Sequence, residues 1–350
     1  MLKVSSIGSF KSSLNRVRIF ENQPKLENKT ALSYRYGLCS DTVSFKRANF
    51  DSDEKTIFSC SHNRKLAKKV SDFSNVELGD VISKKFKNGE TYVRLLSDVD
   101  NKSVFVVNAG NDPVNDNLME FFQMLDAAKR NGAEKVTAVL PYLPYSRQDR
   151  LSETGEALTA RLIADGIEKS GADRVLTFDL HSVQIQGFYD IPVKNISAVP
   201  VFAEYFKQKG NMKDFVVVSP DVGGIKRAES LSKAIETGMA VIYKKREEHN
   251  VAKAVDILGD VEGKNCVLMD DMIDTAGTIT EAVKMLKNKG AKDVYICATH
   301  GIFSDEAYEN IKNCPVKEVI VTDTLPLKPG APQNVKQVSV SELIAEELNK

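Results

Sequence analysis

NGAEKVTAVLPY, residues Asn131–Tyr142, returns in kind as SGADRVLTFDLH at Ser170–His181 and as KGAKDVYICATH at Lys289–His300. In each copy an amphipathic segment leads to a glycine suited to a left-handed helix cap, a small residue turns the chain, and a β-branched run enters a sheet. From about residue 103 onward the chain keeps alternating short apolar runs with longer amphipathic ones, which is the pattern of βαβ units and a parallel sheet. Strands are expected at Ser103–Val107, Lys135–Leu140, Arg174–Phe178, Phe215–Ser219, Met239–Tyr243, Cys266–Met269, Val294–Ala298 and Glu318–Thr322. That is too many for one small sheet, and the repeats are too unevenly spaced for a solenoid. Two tandem α/β domains follow, over residues 55–198 and 199–335, with an extension at 1–54 and a C-terminal helix at 336–350 expected to pack on the first domain. Ligands of open α/β sheets gather beyond the carboxyl ends of the strands, and the polar clusters of this chain fall there.

The 350 residues suffice for two cores without disulfides or a structural metal, and 42% hydrophobic with 27% charged residues is ordinary for a globular protein. No apolar run approaches the roughly 18 residues of a membrane span, so no membrane partner is expected. Lysine plus arginine balance aspartate plus glutamate at 48 each. Without a net positive field there is no global case for nucleic-acid binding. The five cysteines, Cys39, Cys60, Cys266, Cys297 and Cys314, form no CxxC pair and read as reduced. Four scattered histidines give no zinc spacing. The first acid stands at Glu21, after Lys3, Lys11, Arg16 and Arg18, with serines and a ragged apolar face at Leu2, Ile7, Phe10, Leu14 and Val17. Such a composition suits a mitochondrial or plastid transit peptide, with a disordered cytoplasmic extension as the alternative.

VLMDDMIDTAGTI, Val267–Ile279, is the sharpest chemical signal. An apolar strand is expected to set Asp270 and Asp271 at its carboxyl end, and Asp274, Thr275, Ala276, Gly277 and Thr278 then form a loop into a helix expected at Glu281–Asn288. Outward N–H groups, the helix dipole and two hydroxyls make a seat for phosphate, while the paired acids suit sugar hydroxyls or a bridging Mg2+. The bland alternative is an ordinary N-cap aspartate in a polar turn. Elsewhere, Phe86 offers a flat face beside Asn88, Gly89 and Glu90. Arg147, Gln148 and Asp149 lie past a strand end where a guanidinium fork can grip phosphate, although surface arginines are usually only solvated. His181 follows another strand and could simply bond to backbone. Asp221 precedes Gly223 and Gly224, with Lys226 and Arg227 beyond. YKKREEHN, residues 243–250, reads first as a solvated charge run. No GxxxxGK[ST] occurs, so an ATP site here is not a P-loop.

The opening of that loop resembles the phosphoribosyl-diphosphate signature shared by type I phosphoribosyltransferases and ribose-phosphate pyrophosphokinases. DLHSVQIQGFYDIP at Asp179–Pro192 resembles the second group alone, as do KKFKNGET at 84–91, NDNLMEFF at 115–122, LPYLPYSRQDR at 140–150, SPDVGGIKR at 219–227 and THGIFS at 299–304. The resemblance spans residues 56–348. It implies two tandem type I phosphoribosyltransferase-like domains, each a mainly parallel sheet flanked by helices, and transfer of the diphosphoryl group of MgATP to ribose 5-phosphate. It assigns ATP to Phe86, Asn88, Gly89, Glu90, Arg147, Gln148 and Asp149, and ribose 5-phosphate to Asp270, Asp271 and Asp274–Thr278. Metal falls to His181, Asp221 and Asp179, and catalysis to Lys244, Arg246 and His181. A homo-oligomer built from dimers is also implied. The chain departs from the family's common form where Glu153, Gly155 and Glu156 replace basic residues, at Lys194, and in ending at SELIAEELNK without a serine-bearing tail. Those elements build an allosteric phosphate and ADP site in the common form, so weak or absent phosphate activation is expected.

Overall fold

The computed structural model describes residues 54–245 and 254–350. The expected N-terminal extension and Arg246 therefore lie outside the described residues, apart from Glu54. In chain order the first half carries β1 (Lys55–Ser59), α1 (Arg64–Ser74), β2 (Glu77–Leu78), β3 (Val81–Lys85), β4 (Thr91–Leu95), β5 (Ser103–Val107), α2 (Val114–Arg130), β6 (Lys135–Val139), α3 (Thr159–Lys169), β7 (Arg174–Phe178) and β8 (Val193–Ile196). The second carries α4 (Val199–Lys207), β9 (Phe215–Ser219), α5 (Ile225–Ala234), β10 (Gly238–Lys245), β11 (Ala254–Leu258), β12 (Asn265–Ile273), α6 (Gly277–Asn288), β13 (Val294–Gly301), α7 (Ala307–Lys312), β14 (Glu318–Thr322), β15 (Val335–Val338) and α8 (Ser341–Leu348).

Two sheets result, of six strands in the order β2-β1-β5-β6-β7-β8 and of seven in the order β11-β10-β9-β12-β13-β14-β15. Every pairing in them is parallel except β10 with β11, and a separate antiparallel hairpin joins β3 to β4. The mainly parallel α/β architecture expected from the repeat is thus present. Each repeat glycine sits in the left-handed region, Gly132 at φ 89°, Gly171 at 100° and Gly290 at 85°. The Gly171 site is closed in space as well, because an added Cβ would stand 2.8 Å from Lys129 Cβ.

Alternation along the strands decides what packs where. On β12, Cys266 and Leu268 enter a core with α6, whereas Val267 and Met269 turn to the other face. That second face belongs to a core shared by both sheets, in which Phe178 and Leu176 of β7 join Phe202 and Phe206 of α4, Leu66 and Val70 of α1, and Ile344 and Leu348 of α8. A third core lies under α2 and α3. The chain's last helix is fastened twice: apolar residues of α8 join the shared core, and Glu347 pairs with Arg174 at 2.8 Å and Lys194 at 3.4 Å.

The C-terminal helix expected at 336–350 starts only at Ser341, because Val335–Val338 adds an edge strand to the second sheet. Among the other boundaries that differ from the sequence expectation, two bear most on the site. β12 runs on to Ile273, so Asp270 and Asp271 lie within the strand rather than past its end. The ladder continues because β13 is buried throughout and also runs long, pairing Asp270 with Ala298 and Met272 with His300. α6 begins at Gly277, four residues earlier than expected, because Ala276 takes a left-handed φ of 63° and compresses the loop before it. Thr278 accordingly stands in the first helical turn.

Candidate active site

Both sheets point the carboxyl ends of their central strands at one cleft. Residues after β6 bring Arg147, Gln148 and Asp149, those after β7 bring Asp179 and His181, and β9 leads to Asp221, while β12 supplies Asp270, Asp271 and Asp274. The tightest link joins the two halves: His181 Nδ1 donates to Asp271 Oδ2 at 2.7 Å. Arg227, on the first turn of α5, reaches Asp270 at 3.5 Å and Asp271 at 3.4 Å. A hydrogen bond fixes the imidazole so that Nε2 is the atom left for a ligand.

Electrostatics divides the two carboxylates. Burial works against the Asp271 anion, but the His181 hydrogen bond and the Arg227 charge outweigh it and hold its pKa well below the ordinary value. Asp270 moves the other way, raised by burial and by the neighbouring Asp271. One negative charge is therefore fixed at Asp271 and a second is disfavoured beside it. His181 is raised in turn, first by the bond to Asp271, with the Asp149 charge adding to it. Behind this pair His300 is buried, bonded to Thr324 Oγ1 at 3.0 Å and Phe178 O at 3.2 Å, and burial pushes its pKa down to about 4. His300 is a neutral wall, not an acid.

The remaining expected residues separate into groups. Asp179 Oδ2 accepts from Ala198 N at 2.9 Å and from Thr299 Oγ1 at 2.7 Å, which ties the end of β7 to α4 and β13. Asp221 Oδ1 accepts from Gly224 N at 2.8 Å, closing the turn before α5. Thr275 and Ala276 form the end of the loop, and Gly277 and Thr278 the first turn of α6. Phe86, Asn88, Gly89 and Glu90 lie at the tip of the β3–β4 hairpin, where Phe86 is half exposed and meets Tyr92 edge-on at 5.6 Å. Lys244 lies on β10, opposite Val255 of β11.

A cavity of about 980 Å3 opens beside the cluster, lined by Tyr142, Tyr145, Arg147, Gln148, Gly301, Ser304 and Asp305 among others. The hairpin tip does not line it. Arg147 Nη1 donates to Asp274 Oδ2 at 2.7 Å across the cleft, and Thr159 Oγ1 donates to Gln148 Oε1 at 2.5 Å. Sequence reading assigned no role to Thr159, and Thr299 stood inside the THGIFS motif without one, since a threonine's partner across the fold carries no periodic signal. Arg227 was noticed only as a positive charge, and its carboxylate partners depend on the crossing of α5 over β12.

Comparison with known proteins matches residues 55–171 to the N-terminal domain of ribose phosphate pyrophosphokinase and residues 250–350 to the phosphoribosyl synthetase-associated domain. The chain is 45% identical over 296 residues to ribose-phosphate pyrophosphokinase 2 of Enterococcus faecalis, covering 84% of this chain and 92% of that one. It is 44% identical over 297 residues to the ribose-phosphate pyrophosphokinase of Thermotoga maritima, covering 84% and 94%. The crystal structure of phosphoribosylpyrophosphate synthetase from Mycobacterium smegmatis superposes with a TM-score of 0.79 at 38% identity, over 85% of this chain and 98% of that one. With relatives 44–45% identical over 84% of its length and two family models matched in its two halves, the chain belongs to the ribose-phosphate pyrophosphokinase family.

Proposed function

We propose that the protein transfers the β,γ-diphosphoryl group of ATP to the C1 hydroxyl of ribose 5-phosphate, giving 5-phosphoribosyl 1-diphosphate and AMP. The observation that carries this reading is the His181–Asp271 bond, which joins the segment resembling the pyrophosphokinases to the strand β12 that leads into the Asp274–Thr278 loop. The C1 oxygen attacks the β-phosphorus, the bond from that phosphorus to the oxygen bridging it to the α-phosphorus breaks, and the hydroxyl proton is lost. Little covalent chemistry falls to the protein, so alignment and charge neutralisation supply the acceleration. Asp270, Asp271 and Asp274 orient the sugar, and the Thr275–Thr278 backbone with the dipole of α6 holds its phosphate. Arg147, Gln148 and Asp149 take the nucleotide's phosphates. Lys244 and Arg246 neutralise charge on the transferred group, and His181 offers Nε2 to a phosphate oxygen.

The donor set fits Mg2+ in part. Among the described residues no three histidine, cysteine or carboxylate groups gather as a cage. Mg2+ needs none, because it keeps several waters and is held by one or two carboxylates plus substrate phosphates. Asp221 and His181, with one face each turned from their own hydrogen bonds, suit that task, and Mg2+ bound there would neutralise phosphate charge. Asp179 fits poorly, its Oδ2 already accepting two hydrogen bonds, and we assign it to holding the strand end. Ile82, Phe86 and Leu96 are exposed apolar groups on or beside the hairpin, which supports a homo-oligomer built from dimers through that element. The two-domain division at residues 198 and 199 is proposed on the change from one sheet to the other.

Chromatography of an incubation with MgATP and ribose 5-phosphate tests the reaction. AMP should form only when both are present. Production of ADP, or AMP in the absence of the sugar phosphate, would overturn it.

A further inference from the structure

Arg147 and Asp274 meet across the cleft, one following β6 in the first sheet and the other following β12 in the second, at 2.7 Å from Nη1 to Oδ2. This pair is unlike the buried clasps around it. Arg147 is 51% exposed and Asp274 25%, and Arg147 lines the cavity with Gln148, Ser304 and Asp305, so a ligand in the cleft can reach the pair. Burial works against the Asp274 anion, but Ser304 and Arg147 together, with the Lys328 charge beside them, hold its pKa below the ordinary value, so the carboxylate keeps support when Arg147 is drawn away. Ser304 N donates to the Asp274 carbonyl at 3.1 Å, which anchors the backbone there.

We infer that the Arg147–Asp274 ion pair is a latch that makes the two substrates bind cooperatively. The inference rests on the proposed function, in which Arg147 serves the nucleotide's phosphates and Asp274 the sugar phosphate. Each ligand competes with one member of the pair for the other. Whichever substrate arrives first must open the pair, and the second finds its own group already released. The coupling is therefore positive, and by linkage it has the same size in both directions. An ion pair this exposed is a weak one, so a coupling of about two- to fivefold in affinity is expected.

Isothermal titration with α,β-methylene-ATP and Mg2+ tests this, because the bond that would break is replaced by carbon and no turnover intervenes. In the wild type, saturating ribose 5-phosphate should tighten the analogue about two- to fivefold, and the analogue should tighten ribose 5-phosphate equally. Asp274→Asn should bind the analogue more tightly than wild type by that same factor with no sugar phosphate present, and should gain nothing further when it is added. Asp305→Asn removes a negative charge from the same cavity wall outside the ion pair, and should leave the coupling as in wild type. The latch is overturned if Asp274→Asn binds the analogue no more tightly than wild type, or if Asp305→Asn shows the same gain. Should Asp274→Asn lose ribose 5-phosphate, the titration without sugar still decides. A wild type that binds neither ligand overturns the proposed function instead, and the latch with it.

Discussion

Asp271 shows how one side chain acquires a role from its surroundings. It is nearly buried, yet it stays ionised because His181 and Arg227 both face it, and its charge in turn fixes the ring of His181. Lys244 carries the chemical side of the reading. Lys244→Ala should lower kcat by an amount corresponding to roughly 3–4 kcal/mol in activation free energy, as loss of a preorganised charge contact does, with steady-state kinetics as the check. A near-normal turnover number would remove Lys244 from the mechanism. Thr299 tests the structural assignment of Asp179. Thr299→Val withdraws one donor from a half-buried carboxylate and should cost about 1 kcal/mol in chemical denaturation, while leaving the Mg2+ concentration for half-maximal activity unchanged. A shift in that concentration would return Asp179 to the metal site. None of these pairings was legible in the sequence beyond the residues themselves. Asp271 and His181 are 90 positions apart, and only the crossing of two sheets brings them to 2.7 Å.

At the scale of elements, α8 is the clearest case of distant residues made adjacent. Glu347 is almost fully buried between Arg174, Lys194 and Lys350. Burial raises its pKa, but the Lys350 and Arg174 hydrogen bonds and the Lys194 charge overcome that and hold it below the ordinary glutamate value. A depressed carboxylate contributes stability above its unfolded pKa of about 4.3 and loses it as pH falls through the folded value. Glu347→Gln should therefore destabilise the protein at neutral pH by about 1–2 kcal/mol, and the gap to wild type should close below about pH 4. Denaturant melts at pH 7 and in the acid range measure it; a gap that persists in acid would contradict it. Lys194, one of the departures from the family's common form, thus serves to fasten the last helix. The repeated glycine caps made three helix ends and the strands after them readable, because one residue type answers one backbone demand. β12 and α6 were misjudged at their junction, where a left-handed alanine and a long neighbouring strand set the boundary.

For the whole molecule, the sequence pattern was enough for two mainly parallel sheets but not for their shared core, since no periodicity records that Phe178 and Phe206 join one core or that α8 returns to α1. Regulation belongs at this scale. The loop after Arg150 carries Glu156, whose carboxylate accepts from Ser152 N at 2.6 Å and Glu153 N at 3.1 Å, so the segment closes on its own acid. Steady-state rates should be nearly the same with and without added inorganic phosphate; a steep phosphate requirement would contradict the expectation drawn from these departures. The central claim is the direction of diphosphoryl transfer to the sugar. Its most direct test is 31P NMR of a reaction between MgATP and ribose 5-phosphate carrying 18O in the C1 hydroxyl. We expect AMP and a sugar diphosphate in equal amounts, with an isotope shift on the phosphorus bonded to C1 oxygen and none on AMP. Label found on AMP, or ADP as the nucleotide product, would contradict it.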